Sequence, residues 1–291
     1  MRGLHKKAPC KEMERLATSI EWTTTEIEAA DERLPAPLET EAFFQSVASA
    51  DKSALLLDFD GTLAPFRVDP SKVCPWAGVA KLLDKIQQAG RTRLAIVTGR
   101  PARDVASQLG MRNAPEIWGL HGAERLYPDE RFEQEELIDD EQALLADARS
   151  AVGEAHLGVR VEEKRNAVVV HWRGKSPHSI HAVRARALKL LERYAGHAGL
   201  KLLQFDGGLE LRTGRNKGDA VRTILTEIPS RAPVAYLGDD ATDEDAFKAL
   251  AGRGLGVLVR REWRPGAAAI WLRPPAQLRE FLAAWLQATR A

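Results

Sequence analysis

Two aspartates one residue apart, Asp58 and Asp60, close the apolar run Leu55-Leu56-Leu57 and are followed by Gly61 and Thr62. A short continuous apolar run is the pattern of a parallel strand covered on both faces. The period of two turns both carboxylates to one side of the extended chain, and Gly61 lets the backbone turn away behind them. Open α/β sheets bind ligands at this carboxyl-terminal edge, where a pair of acids can carry protons or hold a hard cation. Alone, the pair is equally a solvated strand cap. A calcium loop of the EF-hand type is excluded, because Leu63 stands where its sixth-position glycine is required.

Matching chemistry follows downstream. Thr98 ends a second apolar run, Leu94 to Val97; Lys217 opens a helical segment; and Gly238-Asp239-Asp240-Ala241-Thr242-Asp243-Glu244-Asp245 follows a third run, Val234 to Leu237. Each has an ordinary reading as a turn residue, a solvated helix start or acids favoured by a helix dipole. In a parallel sheet, however, Asp58, Thr98 and Asp239 would converge on one edge, with Lys217 arriving beside them.

The elements needed for this are legible. A short helix is expected over Glu39 to Ala48, and a helix around Val79 to Ile86 ends in the C-cap manner at Gly90. Pro101 suits a first helical turn, and a third strand runs from Ile117 to Leu120. Strand and helix alternating at these intervals predict a parallel sheet with right-handed crossovers. From Asp129 the pattern changes. A helix near Gln142 to His156, strands near Val159 to Glu163 and Ala167 to Trp172, a long helix from His178 to Ala195, and strands near Leu200 to Phe205 and Leu209 to Arg212 predict a small α+β unit with an antiparallel sheet. The parallel pattern then resumes with a helix from Lys217, strands Val234 to Leu237 and Leu255 to Val259, a last strand around Ala268 to Leu272 and a closing helix. The expected layout is a mobile extension over residues 1–37, a core from 38–128 and 214–291, and an inserted unit over 129–213.

Composition narrows the partners. Lys plus Arg is 42 and Asp plus Glu is 41 among 291 residues, a net charge of +1 that gives no reason to expect nucleic acid or an anionic membrane. Two cysteines, Cys10 and Cys74, form neither a disulfide framework nor a zinc spacing. No apolar run reaches the ~18 residues of a spanning helix. A cytoplasmic, monomeric protein acting on a small molecule is expected. No Gly-x4-Gly-Lys-Ser/Thr loop is present, and Gly252-x-Gly254-x-Gly256 precedes a strand instead of following one, which excludes P-loop and dinucleotide sites.

The ordered set Asp58-Phe-Asp-Gly-Thr, Thr98, Lys217 and Gly238-Asp-Asp-x-x-Asp243 resembles the four motifs of the haloacid-dehalogenase-like phosphatase superfamily. Within it, Leu120-His-Gly-Ala-Glu124, Glu162-x-Lys164, His171-Trp-Arg173 and Leu209-Glu-Leu-Arg212 look like trehalose-6-phosphate phosphatases. The resemblance implies a Rossmann-like core with a C2-type cap of subtype C2B inserted between the second and third motifs. It implies hydrolysis of trehalose 6-phosphate with Mg²⁺, with Asp58 as nucleophile and Asp60 as the acid that then becomes base. By the same resemblance Thr98 and Lys217 bind the phosphoryl oxygens, and Asp58, Asp60 and Asp239 ligate the cation, with Asp240 and Asp243 nearby or water-mediated. Arg100, His121, Gly122, Glu124, Glu162, Lys164, His171, Arg173 and Glu210 are then the substrate-binding set. A phosphatase of another sugar phosphate and a non-catalytic phosphosugar-binding module are the alternatives. The resemblance also fits an energetic need. Phosphate monoester hydrolysis requires enhancements up to ~10²¹-fold, and positioned acid–base catalysis supplies only about 10² to 10⁴ of that. Charge repulsion between the paired acids is expected to keep one shared proton on Asp60.

Overall fold

The computed structural model describes residues 37–67, 69–205 and 207–290. The extension expected over residues 1–37 lies outside the described residues except for Pro37, which opens the first helix. Helix α1 (Pro37–Ser49) opens the fold. Phe44 packs on Phe281 and Phe43 on Trp285, with ring centroids 5.2 and 5.9 Å apart, so this helix is part of the core.

Strand β1 (Ser53–Leu57) is buried along its whole length, as its apolar run requires. Helix α2 (Val79–Gln88) follows, burying Val79, Leu83 and Ile86 on one stripe, and Gly90 adopts φ +75° just beyond it. Then come β2 (Thr92–Val97), α3 (Ala102–Gln108) and β3 (Glu116–Gly119). Two short strands absent from the sequence reading, β4 (Glu124–Leu126) and β5 (Phe132–Gln134), add antiparallel to this edge. Strand β5 therefore carries the core sheet past residue 128, the boundary expected from the acidic run. Its three residues sit among Asp129, Glu130, Glu133, Glu135 and Glu136, and that charge hides the period of two.

The chain next forms α4 (Asp139–Glu154), β6 (Arg160–Lys164), β7 (Ala167–His171), α5 (Pro177–Leu191), β8 (Lys201–Phe205) and β9 (Gly208–Arg212). The four strands make an antiparallel sheet ordered β6-β7-β9-β8. Val168, Val170 and Trp172 alternate onto one face, where they pack with Leu209, Leu211 and the buried residues of α4 and α5. This apolar face is the inserted unit's own core; the opposite face is free to carry polar side chains.

The core resumes with α6 (Lys217–Glu227), β10 (Val234–Gly238), α7 (Glu244–Ala249), β11 (Leu255–Val259), β12 (Ile270–Leu272) and α8 (Ala276–Ala288). The large sheet is ordered β12-β11-β10-β1-β2-β3-β4-β5, parallel from β12 through β3. One apolar cluster gathers on its α1, α2 and α8 side and another against α6 and α7. A mostly parallel sheet covered on both faces, with an α+β unit inserted before its third motif, is the architecture expected. Among the described residues no helix is long and apolar enough to cross a membrane.

Candidate active site

Strands β10, β1 and β2 lie side by side in register, Leu57 opposite both Leu237 and Ile96. Their ends therefore deliver Asp58, Asp239 and Thr98 to one place, the convergence the spacing predicts. The fourth group comes from a helix start. Asn216 and Asp219 form a capping box, the Asn216 side chain accepting from the Asp219 amide at 3.1 Å and Asp219 returning a contact to the Asn216 amide at 2.9 Å. This fixes Lys217 at the first helical turn. Its ammonium lies 2.8 Å from Asp58 Oδ1 and 2.8 Å from Asp243 Oδ1.

Asp243 is fully buried, and both of its oxygens are engaged. Oδ1 accepts from Lys217 and, at 2.5 Å, from the Tyr236 hydroxyl; Oδ2 accepts from the amides of Asp239 and Asp240, each at 3.0 Å. Asp243 thus organises the loop and the lysine from behind the cleft, while Asp58, Asp60, Asp239 and Asp240 line it.

The charges explain the proton affinities. Burial pushes the Asp58 carboxyl up to about 7 against the pull of Lys217, and burial beside Asp58 pushes Asp239 well above its ordinary value. Burial also opposes ionisation of Asp243, but Lys217 and its hydrogen bonds outweigh it and hold this carboxyl below its usual value. Lys217 is held charged by Asp243 and Asp58 despite its burial.

This donor set fits a hard divalent cation. One carboxylate oxygen from each of Asp58, Asp239 and Asp243 lies within 4.8 Å of the others and all three residues are buried; with the Asp243 oxygens already engaged, Asp58 and Asp239 are the pair of these that faces the cleft. Gly61, at φ +84°, makes the approach possible: a Cβ there would lie 2.1 Å from Asp239 Oδ2. The raised proton affinities of Asp58 and Asp239 follow from burial and from the acids packed beside them, a repulsion that a cation between their oxygens would relieve.

Asp60 is placed differently from Asp58. Arg100 grips it with two contacts, Nε to Oδ2 at 2.5 Å and an Nη to Oδ1 at 2.6 Å, and its other Nη bonds Pro70 O and Gln108 Oε1. Asp58 is sealed from water, whereas Asp60 keeps an arginine partner at the cleft wall.

Above this floor the polar face of the four-stranded sheet forms a roof. Alternation puts Arg160, Glu162 and Lys164 of β6, His171 of β7 and Glu210 of β9 on one face, with Arg173 and Phe205 nearby, around a cavity of about 670 Å³ shared with the floor. The roof side chains pair with one another and with the core. Glu162 accepts from His171 at 2.8 Å, and Lys164 reaches Glu210 at 3.0 Å and Gly99 O at 2.8 Å. His121 of the core meets Glu210 at 3.0 Å, and Arg173 stacks on Phe66 with its guanidinium carbon 3.6 Å from the ring centroid.

A family model described as trehalose-phosphatase matches residues 56–263. The chain belongs to the trehalose-phosphatase family. A trehalose-phosphate phosphatase of Mycobacterium marinum is 33% identical over 249 residues, covering 79% of this chain and 60% of that protein. The chain thus spans about 60% of the length of the curated relatives it matches. The trehalose-6-phosphate phosphatase C-terminal domain of C. albicans is a structural neighbour with TM-score 0.75 and 20% identity, covering 90% of this chain and 99% of that one. A phosphatase of the haloalkanoate (HAD) enzyme superfamily from Bacteroides thetaiotaomicron follows the same fold with TM-score 0.53 and 15% identity, covering 81% of this chain and 96% of that one.

Not every residue carried over from trehalose-phosphatases reaches the cavity. Glu124 caps α3, its Oε2 accepting from the Ala102 amide at 2.8 Å, and Gly122, at φ +103°, lets its turn approach Ala220. Neither lines the cavity. Arg160, Phe66 and Phe205 do and were not singled out. Arg160 was findable, since it continues the period of two through Glu162 and Lys164; Phe66 and Phe205 carry no sequence signal beyond being aromatic.

The contact between His121 and Glu210 gives a pH prediction. Burial pushes the imidazole down to about 4, with Arg212 adding to the fall against the pull of Glu210, so neutral His121 donates to an ionised Glu210. The unfolded chain takes up a proton near 6.5 and the folded protein only near 4. Stability is therefore lost as pH falls between these values, by ~3 kcal/mol at most. Melting temperatures followed from pH 7 to 4 should decline, and His121→Asn should remove part of that decline. An equal pH slope in both proteins would contradict it.

Proposed function

We propose that this chain hydrolyses trehalose 6-phosphate to trehalose and phosphate, with Mg²⁺, through a phosphorylated Asp58. The observation that carries the reading is the Lys217 ammonium held 2.8 Å from a buried Asp58, at the floor of a cleft whose roof is polar. Asp58 Oδ attacks phosphorus, the bond from phosphorus to the sugar oxygen breaks, and a proton from Asp60 satisfies the leaving oxygen. Asp60 must first leave its pair with Arg100, whose guanidinium is then free to meet a phosphoryl oxygen. Water next attacks phosphorus, its proton returns to Asp60, and phosphate departs with Asp58 restored. Lys217 and the Thr98 hydroxyl neutralise charge that spreads over the phosphoryl oxygens. Mg²⁺ held by Asp58 and Asp239, with Asp240 beside them, would keep Asp58 ionised and draw off phosphoryl charge.

Residues 135–213 serve as the cap in this reading. The pairs Glu162 with His171 and Lys164 with Glu210 offer polar donors and acceptors that sugar hydroxyls can replace. In this reading the protein acts as a monomer in the cytoplasm, and its near-neutral charge suits a small-molecule substrate in place of nucleic acid or an anionic membrane. Phosphate release from a panel of sugar phosphates, with and without Mg²⁺, tests the substrate. Activity confined to another sugar phosphate would overturn it.

The cap supplies a sharper test. Glu210→Ala should lower kcat/KM for trehalose 6-phosphate by ~10² or more, the effect of removing a charged hydrogen-bond partner, and leave a small aryl phosphate nearly untouched. Equal losses on both substrates would contradict sugar reading by the roof.

A further inference from the structure

The loop that carries Asp239 and Asp240 is fixed from two sides. On the inner side its amides donate to Asp243 Oδ2. On the outer side, where β10 has ended and no strand receives its carbonyls, two arginines from the segment after β11 take them. Arg264 donates to Asp240 O at 2.7 Å and, less closely, to Asp239 O at 3.4 Å; Arg260 reaches Asp239 O at 3.3 Å. Buried carbonyls need such partners, and a guanidinium offers several donors in a fixed plane.

Arg264 is itself held in place. Glu244 Oε1, at the start of α7, lies 2.6 Å from its Nη1, and Glu244 Oε2 accepts from the Ala267 amide at 2.9 Å. Gly266 is required for this approach, since a Cβ there would fall 2.3 Å from Glu244 Oε1. Arg260 is fixed through its backbone, its amide bonding Leu272 O and its carbonyl accepting from Trp271 Nε1.

We infer that Arg264, with Arg260, is a positioning residue that sets the cleft's affinity for a divalent cation by fixing the main chain of Asp239 and Asp240. Its contacts to the two aspartates described above are with their main-chain carbonyls. With amides and carbonyls both fixed, the two aspartates present their carboxylates to the cleft in one arrangement. The guanidinium also places positive charge behind the acids of the cleft floor. Arg264 lies one residue beyond the stretch matched by the family model. The inference rests on the proposal that the cleft binds Mg²⁺, and not on the identity of the sugar.

The test is calorimetric titration of Mg²⁺ into the full-length protein without substrate, with metal-free melting temperatures alongside. Arg264→Ala should weaken Mg²⁺ binding ~10-fold or more, the usual effect of removing a group that orients a metal ligand. Arg264→Lys, which keeps the charge and one donor, should fall between it and wild type. Glu244→Gln, which weakens the ion pair but leaves the carbonyl contacts, should bind within about threefold of wild type. If Arg264→Ala does not fold, the Arg264→Lys titration decides. Binding by the arginine variants equal to wild type would overturn the inference, as would a loss in Glu244→Gln equal to that in Arg264→Ala. Wild-type protein that takes up no Mg²⁺ would overturn it together with the metal reading, whereas failure to hydrolyse trehalose 6-phosphate would overturn only the substrate.

Discussion

Asp58→Asn protein is expected to lose at least ~10³-fold in phosphate release and to form no phosphorylated protein when quenched during turnover. Asparagine keeps the shape and one oxygen acceptor for Lys217, whose ammonium lies 2.8 Å from Asp58 Oδ1, but it has no nucleophilic oxygen. The fold should therefore survive. Its metal-free stability should even exceed that of wild type at neutral pH. Burial raises the Asp58 carboxyl from 3.8 to about 7, so the folded state binds the proton more tightly than the unfolded chain. Wild-type stability accordingly falls as pH rises between those values, and a neutral amide escapes that fall. The advantage of Asp58→Asn should grow from pH 4 to pH 7 in chelator. Unchanged phosphate release would refute the nucleophile, and an advantage that shrinks with pH would refute the account of the buried charge.

The floor of the cleft was legible in the sequence because its geometry is periodic. Three apolar runs of strand length each end in a polar group, and a parallel sheet carries such ends to one edge. The Lys217 position was readable from a helix start. The roof residues came from the resemblance; the alternation of His171 and Arg173 with Val170 and Trp172 marks only a polar face, since the apolar set is the one that can face α4 and α5.

What the sequence withheld depends on groups whose roles follow from distant partners. Glu124 reads as a polar residue near a strand end, yet its position in β4 opposite Gln134 turns it to the amide of Ala102. Asp243 belongs to the same acidic motif as Asp239, but Tyr236 and Lys217 draw it behind the loop. Arg100 forms a bidentate pair with Asp60 across forty residues of chain, a contact no local spacing encodes. Strand β5 escaped because three residues between acids offer too short a period to detect. Arg264 follows the apolar strand β11 in an irregular segment, where neither period nor motif marks it.

Lys217→Met should damage both catalysis and folding, unlike Asp58→Asn. A single donor aimed at developing charge contributes ~10² to 10³ in rate, and Lys217 also keeps the buried Asp243 ionised and opposes the rise at Asp58, so phosphate release should fall by at least that factor. Removing one partner of a buried ion pair leaves its mate charged without compensation, at a cost of about 3–5 kcal/mol. Asp243 is the acid most exposed to this loss, since the lysine is what holds its carboxyl below the ordinary value against burial. That contribution is present above the unfolded value of 3.8 and disappears as pH falls through the folded one. The stability gap between wild type and Lys217→Met should therefore be widest near neutral pH and narrow towards pH 4, where the unpaired acids take up protons. Melting curves in chelator across that range measure it directly. A gap that does not change with pH would mean that Lys217 supports the fold by packing alone, and the buried charge pair would no longer explain how Asp58 is held at the floor of the cleft.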